Sequence, residues 1–446
     1  MGKKSLLKRI EKSPPRFLLL AYLIVIAIGT LLLLLPISRH EGIGASFVDA
    51  LFVSTSATCV TGLTPVVTAT NWTLFGKVVI LILIQLGGLG IMTAVGGLAV
   101  ISGQRIGLGQ RLLFMNEKNE DTLTGIIRLL RFIVRSTFLI EGIGAILLLI
   151  SLQPRYGWLK GLGYSIFLSV SSFCNAGFDP LGPDSLLPFQ HQALVLLPVA
   201  GLIIIAGLGY VVYLDFIQRK HRRSLQTRVV VWMTAGLLLA GTLITLLLEA
   251  HNPLTLGPMS LPDKLVNAFF HSTSLRTAGF FTFPQEAMRP ATALFSSLLM
   301  FIGGSPGGTA GGLKTTTMVV LVIGVIRQIR QTDEVPVFHR NITRNNFRQA
   351  TLLLLVSLFW VFTVTFFLQW LEEGQQFLDL FFETMSAYGT VGLSRNLTAD
   401  LHSVSKVLIS FTMLFGKIGP VTMLAAIMQP AKFQRYHLAE ESMMIG

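Results

Sequence analysis

Long apolar stretches are the sequence feature that most limits the fold of this chain. A helix that crosses a bilayer needs about 20 consecutive apolar residues. Only 13% of the 446 residues are charged, too few for a soluble domain. The sequence therefore predicts an integral membrane protein with eight spanning helices, the first a retained helix rather than a signal peptide. The stretches lie near 17–37, 74–101, 131–152, 192–217, 228–249, 291–327, 350–371 and 403–428.

The distribution of positive charge predicts the orientation of the chain. A net charge of +13 would suit a nucleic-acid-binding protein if the basic residues covered one exposed face. Instead they cluster between the apolar stretches, mainly at the two termini and near 102–135, 218–228 and 327–348. Cytoplasmic loops retain Lys and Arg. We therefore expect a multi-pass protein of the cell membrane, with both termini cytoplasmic and no nucleic-acid partner.

A short motif occurs four times along the chain. It reads SATCVTGL from Ser56, SSFCNAGF from Ser171, TSLRTAGF from Thr273 and SAYGTVGL from Ser386. Each copy ends an apolar stretch that is too short to span the bilayer, and repeats of this kind predict repeated structural units. The predicted fold is an all-α integral membrane protein of four helix/pore-loop/helix repeats. Eight spanning helices and four re-entrant half-helices would surround one central pore in pseudo-fourfold symmetry.

One glycine in each motif suits an ion pathway: Gly62, Gly177, Gly279 and Gly392. Non-helical backbone survives at membrane depth where it is buried or lines a water-filled cavity. Glycine allows the φ values that aim carbonyls inward, and a ring of carbonyls replaces the water of a monovalent cation. The motifs contain no carboxylate, which favours potassium over calcium or magnesium. The alternative is that these glycines only form tight turns.

The motifs resemble those of the Trk/Ktr/HKT superfamily of potassium transporters and channels, in particular its KtrB-type translocating subunits. The resemblance covers almost the whole chain. It implies potassium as the transported ion, because the family associates glycine at all four filter positions with potassium transport. Thr61, Asn175, Thr277 and Thr390 would add side-chain oxygens or steady the strands. The implied selectivity filter is Val60, Thr61 and Gly62; Cys174, Asn175, Ala176 and Gly177; Arg276, Thr277, Ala278 and Gly279; and Gly389, Thr390, Val391 and Gly392.

The same resemblance divides the chain into four repeats between two cytoplasmic ends. The ends are 1–15 and 429–446. The expected repeats are 16–101, with a pore loop near 47–63; 102–217, with a pore loop near 163–178; 218–327, with a pore loop near 263–280 and a gate loop at 303–317; and 328–428, with a pore loop near 377–393.

A break is predicted within 291–327. One helix of this length would reach roughly 55 Å, whereas the hydrocarbon core is about 30 Å thick. The segment GGSPGGTAGGLKTTT contains residues that disfavour a helix. A phosphate-binding loop is rejected because Leu313 precedes Lys314 where glycine is required. The resemblance implies an intramembrane gate here, made by Gly303, Gly304, Ser305, Pro306, Gly307, Gly308, Thr309, Ala310, Gly311, Gly312, Lys314 and Lys417.

Three basic residues, Arg276, Lys314 and Lys417, fall within the predicted membrane region. Buried charges in membranes are costly and mark functional sites, and the alternative is an internal ion pair with Glu141 or Glu383. Lys417 stands where the family usually has arginine, below the filter. It keeps the charge but loses the forked geometry of arginine, so gating is expected to differ from the family pattern.

Control of the gate is expected from another protein, because the cytoplasmic loops are short. The resemblance implies a cytoplasmic nucleotide-binding ring of the KtrA type and a homodimer, and the basic loops suit anionic lipid. No covalent cofactor is expected, and sodium stays open as an activator. The alternative function is a sodium- or proton-coupled secondary cation transporter. An enzyme is disfavoured because the spans contain no catalytic or metal-binding constellation.

Cys59 and Cys174 are expected to be buried packing residues, and a disulfide between them is left open.

Overall fold

The computed structural model describes residues 14–40, 46–91, 93–94, 96–97, 126–217, 223–332, 336–338 and 340–427. Residues 1–13 of the predicted cytoplasmic N-terminus (1–15), the predicted C-terminal tail at 429–446 and most of the basic loop near 102–135 lie outside these residues. Within the described part, the chain forms helices and three isolated bridges but no named strand. The prediction of an all-helical protein is therefore confirmed.

The helices form four units with the same order of elements: a long helix, a short helix and an interrupted helix. The first unit contains α1 (Pro14–Leu34), α2 (Phe47–Cys59) and α3 (Leu74–Leu89). The second contains α4 (Ile126–Tyr156), α5 (Trp158–Cys174), α6 (Ala193–Leu208) and α7 (Tyr210–Ile217). The third contains α8 (Leu225–Glu249), α9 (Leu261–Ser274), α10 (Pro290–Phe301) and α11 (Thr315–Arg330). The fourth contains α12 (Arg344–Leu371), α13 (Phe377–Gly389), α14 (Ser403–Ile418) and α15 (Pro420–Ile427).

Four described helices, α1, α4, α8 and α12, are long and apolar enough to cross a membrane by length and composition. Two further candidates are the bent pairs α6–α7, with an angle of 90°, and α14–α15, with an angle of 104°. The long helices expose large apolar side chains on their outer faces, such as Leu139 of α4 at 65% and Phe359 of α12 at 72%. These surfaces are typical of a protein embedded in lipid. The structure thus supports four to six spans in its described part, and eight stays a prediction.

A serine–glycine contact joins the long and short helices in three units. Ser54 Oγ donates to Ile26 O at 2.8 Å, and a Cβ on Gly29, one turn later, would collide with the same serine. The same arrangement recurs at Ser169 with Gly144 and at Ser272 with Gly241. Small residues let helix backbones approach closely in membrane proteins. The contact sets each short helix at the same position on its long helix.

Two of the four short helices, α2 and α9, begin with side-chain caps, and three, α2, α5 and α13, end in left-handed residues. Ser46 and Asp49 form a capping box at the start of α2, and Ser260 caps α9 by accepting from the Asp263 N–H. Val60 and Thr390 end α2 and α13 with φ of 58° and 51°. The chain leaves each short helix in a sharp turn, which brings the motif glycines to a common centre.

Candidate functional site

The four motif glycines, hereafter the ring glycines, surround one axis. Their φ angles are 99° for Gly62, 71° for Gly177, 75° for Gly279 and 95° for Gly392. A Cβ on Gly62 would lie 3.0 Å from Gly177 Cα, one on Gly177 would lie 3.0 Å from Gly279 Cα, and one on Gly279 would lie 3.2 Å from Gly392 Cα. A Cβ on Gly392 would lie 3.0 Å from Gly62 Cα, which closes the ring.

The ring has no room for a side chain. A Cβ on Gly62 would lie 2.5 Å from Ala176 O, and one on Gly177 would lie 2.8 Å from Ala278 O. Gly279 faces Val391 O and Gly392 faces Thr61 O in the same way. Positive φ also strains any L-residue. Both the backbone conformation and the close approach of the next unit therefore require glycine. A tight turn alone would explain only the first of these two requirements.

The residue two positions before each ring glycine is left-handed: Val60, Asn175, Thr277 and Thr390. Asn175 Nδ2 donates to Thr277 Oγ1 at 3.2 Å and so links the second and third units. In the described part of the chain, Asn175 Oδ1, Thr390 Oγ1 and Thr61 Oγ1 are buried without a hydrogen-bond partner. Buried polar atoms are normally satisfied, so these oxygens are free to bind an ion or water.

The third unit departs from the others in register. In the first and second units the serine that contacts the long helix, Ser54 or Ser169, precedes the ring glycine by eight residues. Ser272 precedes Gly279 by seven residues. Alignment on the glycines alone missed this shift, because the motif TSLRTAGF has the same length as the others.

Several predicted filter residues direct their side chains away from the ring. Arg276 is buried and donates through Nη1 to Thr234 O at 3.4 Å on α8. The Cys174 thiol lies 3.8 Å from both Gln85 Oε1 and Glu141 Oε1. Cys59 and Cys174 are both buried and free, so they are not bridged to each other. Arg276 and Cys174 therefore pack behind the ring.

The suggested ion pairs with Glu141 and Glu383 do not occur among the described residues. Arg276 bonds to Thr234 O, and Lys417 Nζ donates to Thr309 O at 2.7 Å. Glu383 accepts from Thr398 Oγ1 at 2.5 Å, and Glu141 accepts from Gln85 Nε2 at 3.4 Å. The four ion pairs found among the described residues include none of these buried groups. Carbonyl oxygens and neutral side chains bind them instead.

An outer cavity of about 400 Å³ opens on one side of the ring. All four ring glycines line it, together with three carboxylates. The carboxylates are Asp179, Asp184 and Glu286, and no basic residue belongs to this described lining. Desolvation raises the pKa of the half-buried Asp179 to about 6, although its carboxylate accepts the Leu181 N–H at 3.1 Å. The outer cavity is therefore electrostatically attractive to cations.

A loop between α10 and α11, residues 302–314 and hereafter the break loop, lies on the other side of the ring. The Gly303 N–H donates to Leu313 O at 2.9 Å, and Ser305 N–H donates to Gly207 O at 3.0 Å. A Cβ on Gly311 would lie 2.8 Å from Thr390 Cγ2. The predicted break in the third unit is therefore present, and the loop directly contacts a residue beside the ring.

Two lysines bind neighbouring carbonyls of the break loop. Lys417 Nζ donates to Thr309 O at 2.7 Å, and Lys314 Nζ donates to Ala310 O at 2.6 Å. Both line an inner cavity of about 100 Å³ together with Gly88. Backbone carbonyls are good partners for ammonium groups at membrane depth. The two ammonium groups thus stabilise the loop across the inner side of the ring.

Breaks also occur in the other three units, where the sequence analysis expected none. Gly90, Gly209 and Gly419 end α3, α6 and α14, with φ of 86°, 86° and 90°. A Cβ on Gly209 would lie 2.7 Å from Pro306 O in the break loop. In the first and second units the available signal was a glycine followed after one apolar residue by a second glycine, as in GGLG and AGLG. The second and fourth interrupted helices bend at these breaks, by 90° and 104°.

The helical fold, the apolar outer faces and the glycine ring define a multi-pass membrane protein with a central site suited to small ions. The chain belongs to the TrkH family, described as cation transport protein, which matches residues 17–436. It is 39% identical to the Ktr system potassium uptake protein B of Bacillus subtilis, covering 95% of this chain and 94% of the relative. It is 36% identical to the potassium/sodium uptake protein NtpJ of Enterococcus hirae, covering 98% and 99%.

A second Ktr system potassium uptake protein B, from Vibrio alginolyticus, is 36% identical and covers 93% of this chain and 91% of that protein. The crystal structure of the potassium transporter TrkH from Vibrio parahaemolyticus has a TM-score of 0.71 at 17% identity, covering 92% of this chain and 82% of that one. That similarity shows the fold. The family recognised from the four motifs is confirmed, and so is a transport protein rather than an enzyme.

Proposed function

We propose that this chain is the translocating subunit of a potassium uptake system in the cell membrane. K⁺ enters from the outer cavity, loses its water at the ring glycines and leaves past the break loop. The observation that carries this proposal is the closed ring of Gly62, Gly177, Gly279 and Gly392. Relatives named as potassium uptake proteins over nearly their whole length support it.

The selectivity filter follows from the backbone around the ring. Carbonyl oxygens coordinate a dehydrated alkali ion without a full negative charge. The short helices end at the ring, so the negative ends of their dipoles face the ion path. Thr61, Asn175 and Thr390 contribute the unpartnered oxygens on the inner side. Arg276, Cys174 and Gly389 contribute backbone only.

The architecture that suits this pathway is four repeats with the boundaries expected from the sequence. Each repeat supplies two spanning helices and one re-entrant short helix, eight spans in all, with both termini cytoplasmic. The four-unit order of the described helices supports this arrangement. The exposed arginines near the ends of α11 and α12, such as Arg330 and Arg344, support a cytoplasmic inner side.

The break loop is the gate. It lies across the inner side of the ring and is stabilised by Lys417 and Lys314 through Thr309 O and Ala310 O. A change in the surrounding helices that withdraws these ammonium groups releases the loop and opens the path. We further propose that the chain acts as a homodimer under a cytoplasmic ring of the KtrA type. Two relatives named as protein B of a Ktr system support a multi-subunit assembly.

A sodium-coupled transporter is the second candidate. The relative named as a potassium/sodium uptake protein favours it, since the whole of that protein aligns with this chain. In that case sodium would be a co-substrate or an activator. The two functions differ in whether potassium flux follows the membrane potential alone.

Rubidium flux into proteoliposomes under an inside-negative potential tests the proposal. Wild-type protein is expected to transport Rb⁺ at equal sodium on both sides, and excess Na⁺ is expected to compete weakly. Gly392→Ser should abolish the flux or its selectivity, because its side chain meets Thr61 O. Gly236→Ser is the matched control, since a Cβ there meets no atom within 4 Å. Flux that requires a sodium gradient would favour the coupled transporter, and a fully selective Gly392→Ser protein would contradict the filter.

A further inference from the structure

Three short helices carry an aspartate at their third residue, and each aspartate is paired with a basic side chain. The carboxylate at this position stabilises the positive end of the helix dipole. The pairs are Lys406 Nζ with Asp49 at 3.0 Å, His191 Nδ1 with Asp263 at 2.8 Å, and Arg395 Nε with Asp379 at 2.6 Å.

Arg395 differs from the other two basic side chains because it makes further hydrogen bonds. Its Nη1 donates to Gln285 O at 3.1 Å, and its Nη2 donates to Glu286 O at 3.3 Å. The side chain is only 9% exposed. The planar guanidinium offers donors in a fixed fork, which a lysine or histidine cannot reproduce. One side chain therefore joins α13 to the segment that follows the third ring glycine.

Arg395 lies three residues after Gly392, in the segment that leaves the ring toward the outer cavity. The far end of that segment is attached as well, since Thr398 Oγ1 donates to Glu383 in the middle of α13. Gln285 and Glu286 line the outer cavity, so the bonds of Arg395 end at its wall. The segment after Gly392 is thus attached to its own short helix through Asp379 and Glu383, and to the third unit through Gln285 O and Glu286 O.

We propose that Arg395 is a positioning residue for ion selectivity. It holds the segment after Gly392 against the third unit and so fixes the spacing of the backbone carbonyls around the ring glycines. Asp379 neutralises its charge, which lets a cation sit beside the ion path without repelling K⁺. The inference rests on the proposed filter. Discrimination between ions that differ only in radius depends on the positions of the coordinating oxygens, which a loosened strand would let relax.

Competition between Rb⁺ and Na⁺ for the full-length protein tests this role. Equilibrium binding to purified protein is measured beside flux in proteoliposomes, because binding does not depend on an open gate. Arg395→Gln is expected to lower the Rb⁺/Na⁺ preference by about tenfold, since it removes charge-assisted bonds on two units. The Rb⁺/Na⁺ preference of Arg395→Lys should lie between those of the wild-type protein and Arg395→Gln, because lysine restores one charged bond but not the forked geometry.

Lys406→Gln is the matched control, since it removes the equivalent bond from α14 to Asp49 of the first short helix and leaves the bonds of the segment after Gly392 in place. Both glutamine variants are expected to lower the thermal unfolding temperature of the protein, but only Arg395→Gln should change its Rb⁺/Na⁺ preference. An unchanged preference in Arg395→Gln, or an equal change in Lys406→Gln, overturns the proposal. If Arg395→Gln does not fold, an unchanged preference in Arg395→Lys overturns it. Wild-type protein without preference for Rb⁺ would instead contradict the proposed filter itself.

Discussion

The two sides of the glycine ring are stabilised differently. On the outer side, charged pairs hold the segments in place. On the inner side, where the helices are interrupted, ammonium groups donate to backbone carbonyls. On the outer side, the pair of Lys406 and Asp49 joins the fourth unit to the first. Arg395 pairs with Asp379 of its own unit and joins it to the third unit through Gln285 O and Glu286 O.

On the inner side, Lys417 and Lys314 donate to backbone oxygens of the break loop. A fork of bonds resists displacement better than a single flexible side chain. The difference suits a rigid selective region next to a movable one.

The largest effect is expected at the ring itself. Gly62→Ala would place a Cβ 2.5 Å from Ala176 O at a φ of 99°, so the strand must shift. We expect Rb⁺ uptake to fall by about 100-fold or more, as filter strain and altered carbonyl spacing combine. Uptake by cells that lack other potassium transport measures this. Gly236→Ala should leave uptake unchanged, and normal uptake by Gly62→Ala would show that the ring is not the ion path.

On the inner side of the ring, a substitution is expected to raise Rb⁺ flux rather than lower it. Lys417→Met removes the bond to Thr309 O, so basal Rb⁺ flux should rise about tenfold, because a hydrogen bond from a charged donor contributes about 1.5–3 kcal/mol. Proteoliposome flux without any added partner measures it. Lys77→Met is the matched control, since Lys77 Nζ also donates to a carbonyl, Ala69 O, but far from the break loop. A basal flux that does not rise would contradict the stabilising role of Lys417.

An intermediate effect is expected at a helix break. A Cβ on Gly419 meets no atom within 4 Å, but its φ of 90° is strained for alanine by about 1–2 kcal/mol. Gly419→Ala should therefore favour a straighter α14–α15 and change the open fraction several-fold. The rate of Rb⁺ flux, compared with Gly142→Ala in α4, measures this change. Equal rates in both variants would mean that the break is not a hinge.

The smallest effect concerns the outer cavity and pH. Because the pKa of Asp179 is raised to about 6, its carboxylate is ionised above that pH and neutral below it. Asp184 and Glu286 also line this cavity. Lowering the outer pH from 7.5 to 5 should reduce Rb⁺ influx less than about twofold, through weaker attraction of cations. Asp179→Asn should show the lower influx at both pH values, and an unchanged pH dependence would exclude Asp179 as its source.

Much of the fold follows from local patterns in the sequence. The apolar stretches predict helices, and the four motifs predict four similar units. The ring glycines were identified because positive φ is a local requirement that few residues other than glycine meet. The break in the third unit was also local, since Pro306 and its neighbouring glycines cannot continue a helix.

Other features were missed because they depend on contacts between distant segments. The register shift at Ser272 became visible only from its contact with α8. The breaks at Gly90, Gly209 and Gly419 were overlooked because a single glycine in an apolar helix is usually tolerated. The ion pairs suggested with Glu141 or Glu383 are absent from the described residues, where Arg276 donates to Thr234 O on α8 and Lys417 to Thr309 O in the break loop.

The sequence by itself determined the membrane setting, the helical units and the identity of the ring residues, because hydrophobicity and backbone freedom are properties of short segments. Only the tertiary structure decided how these residues meet. The closed ring, the bonds from Arg395 to Gln285 O and Glu286 O, and the contact of the break loop with Thr390 join residues far apart in the chain. Such contacts arise when four units close around one axis, and no local pattern encodes that geometry.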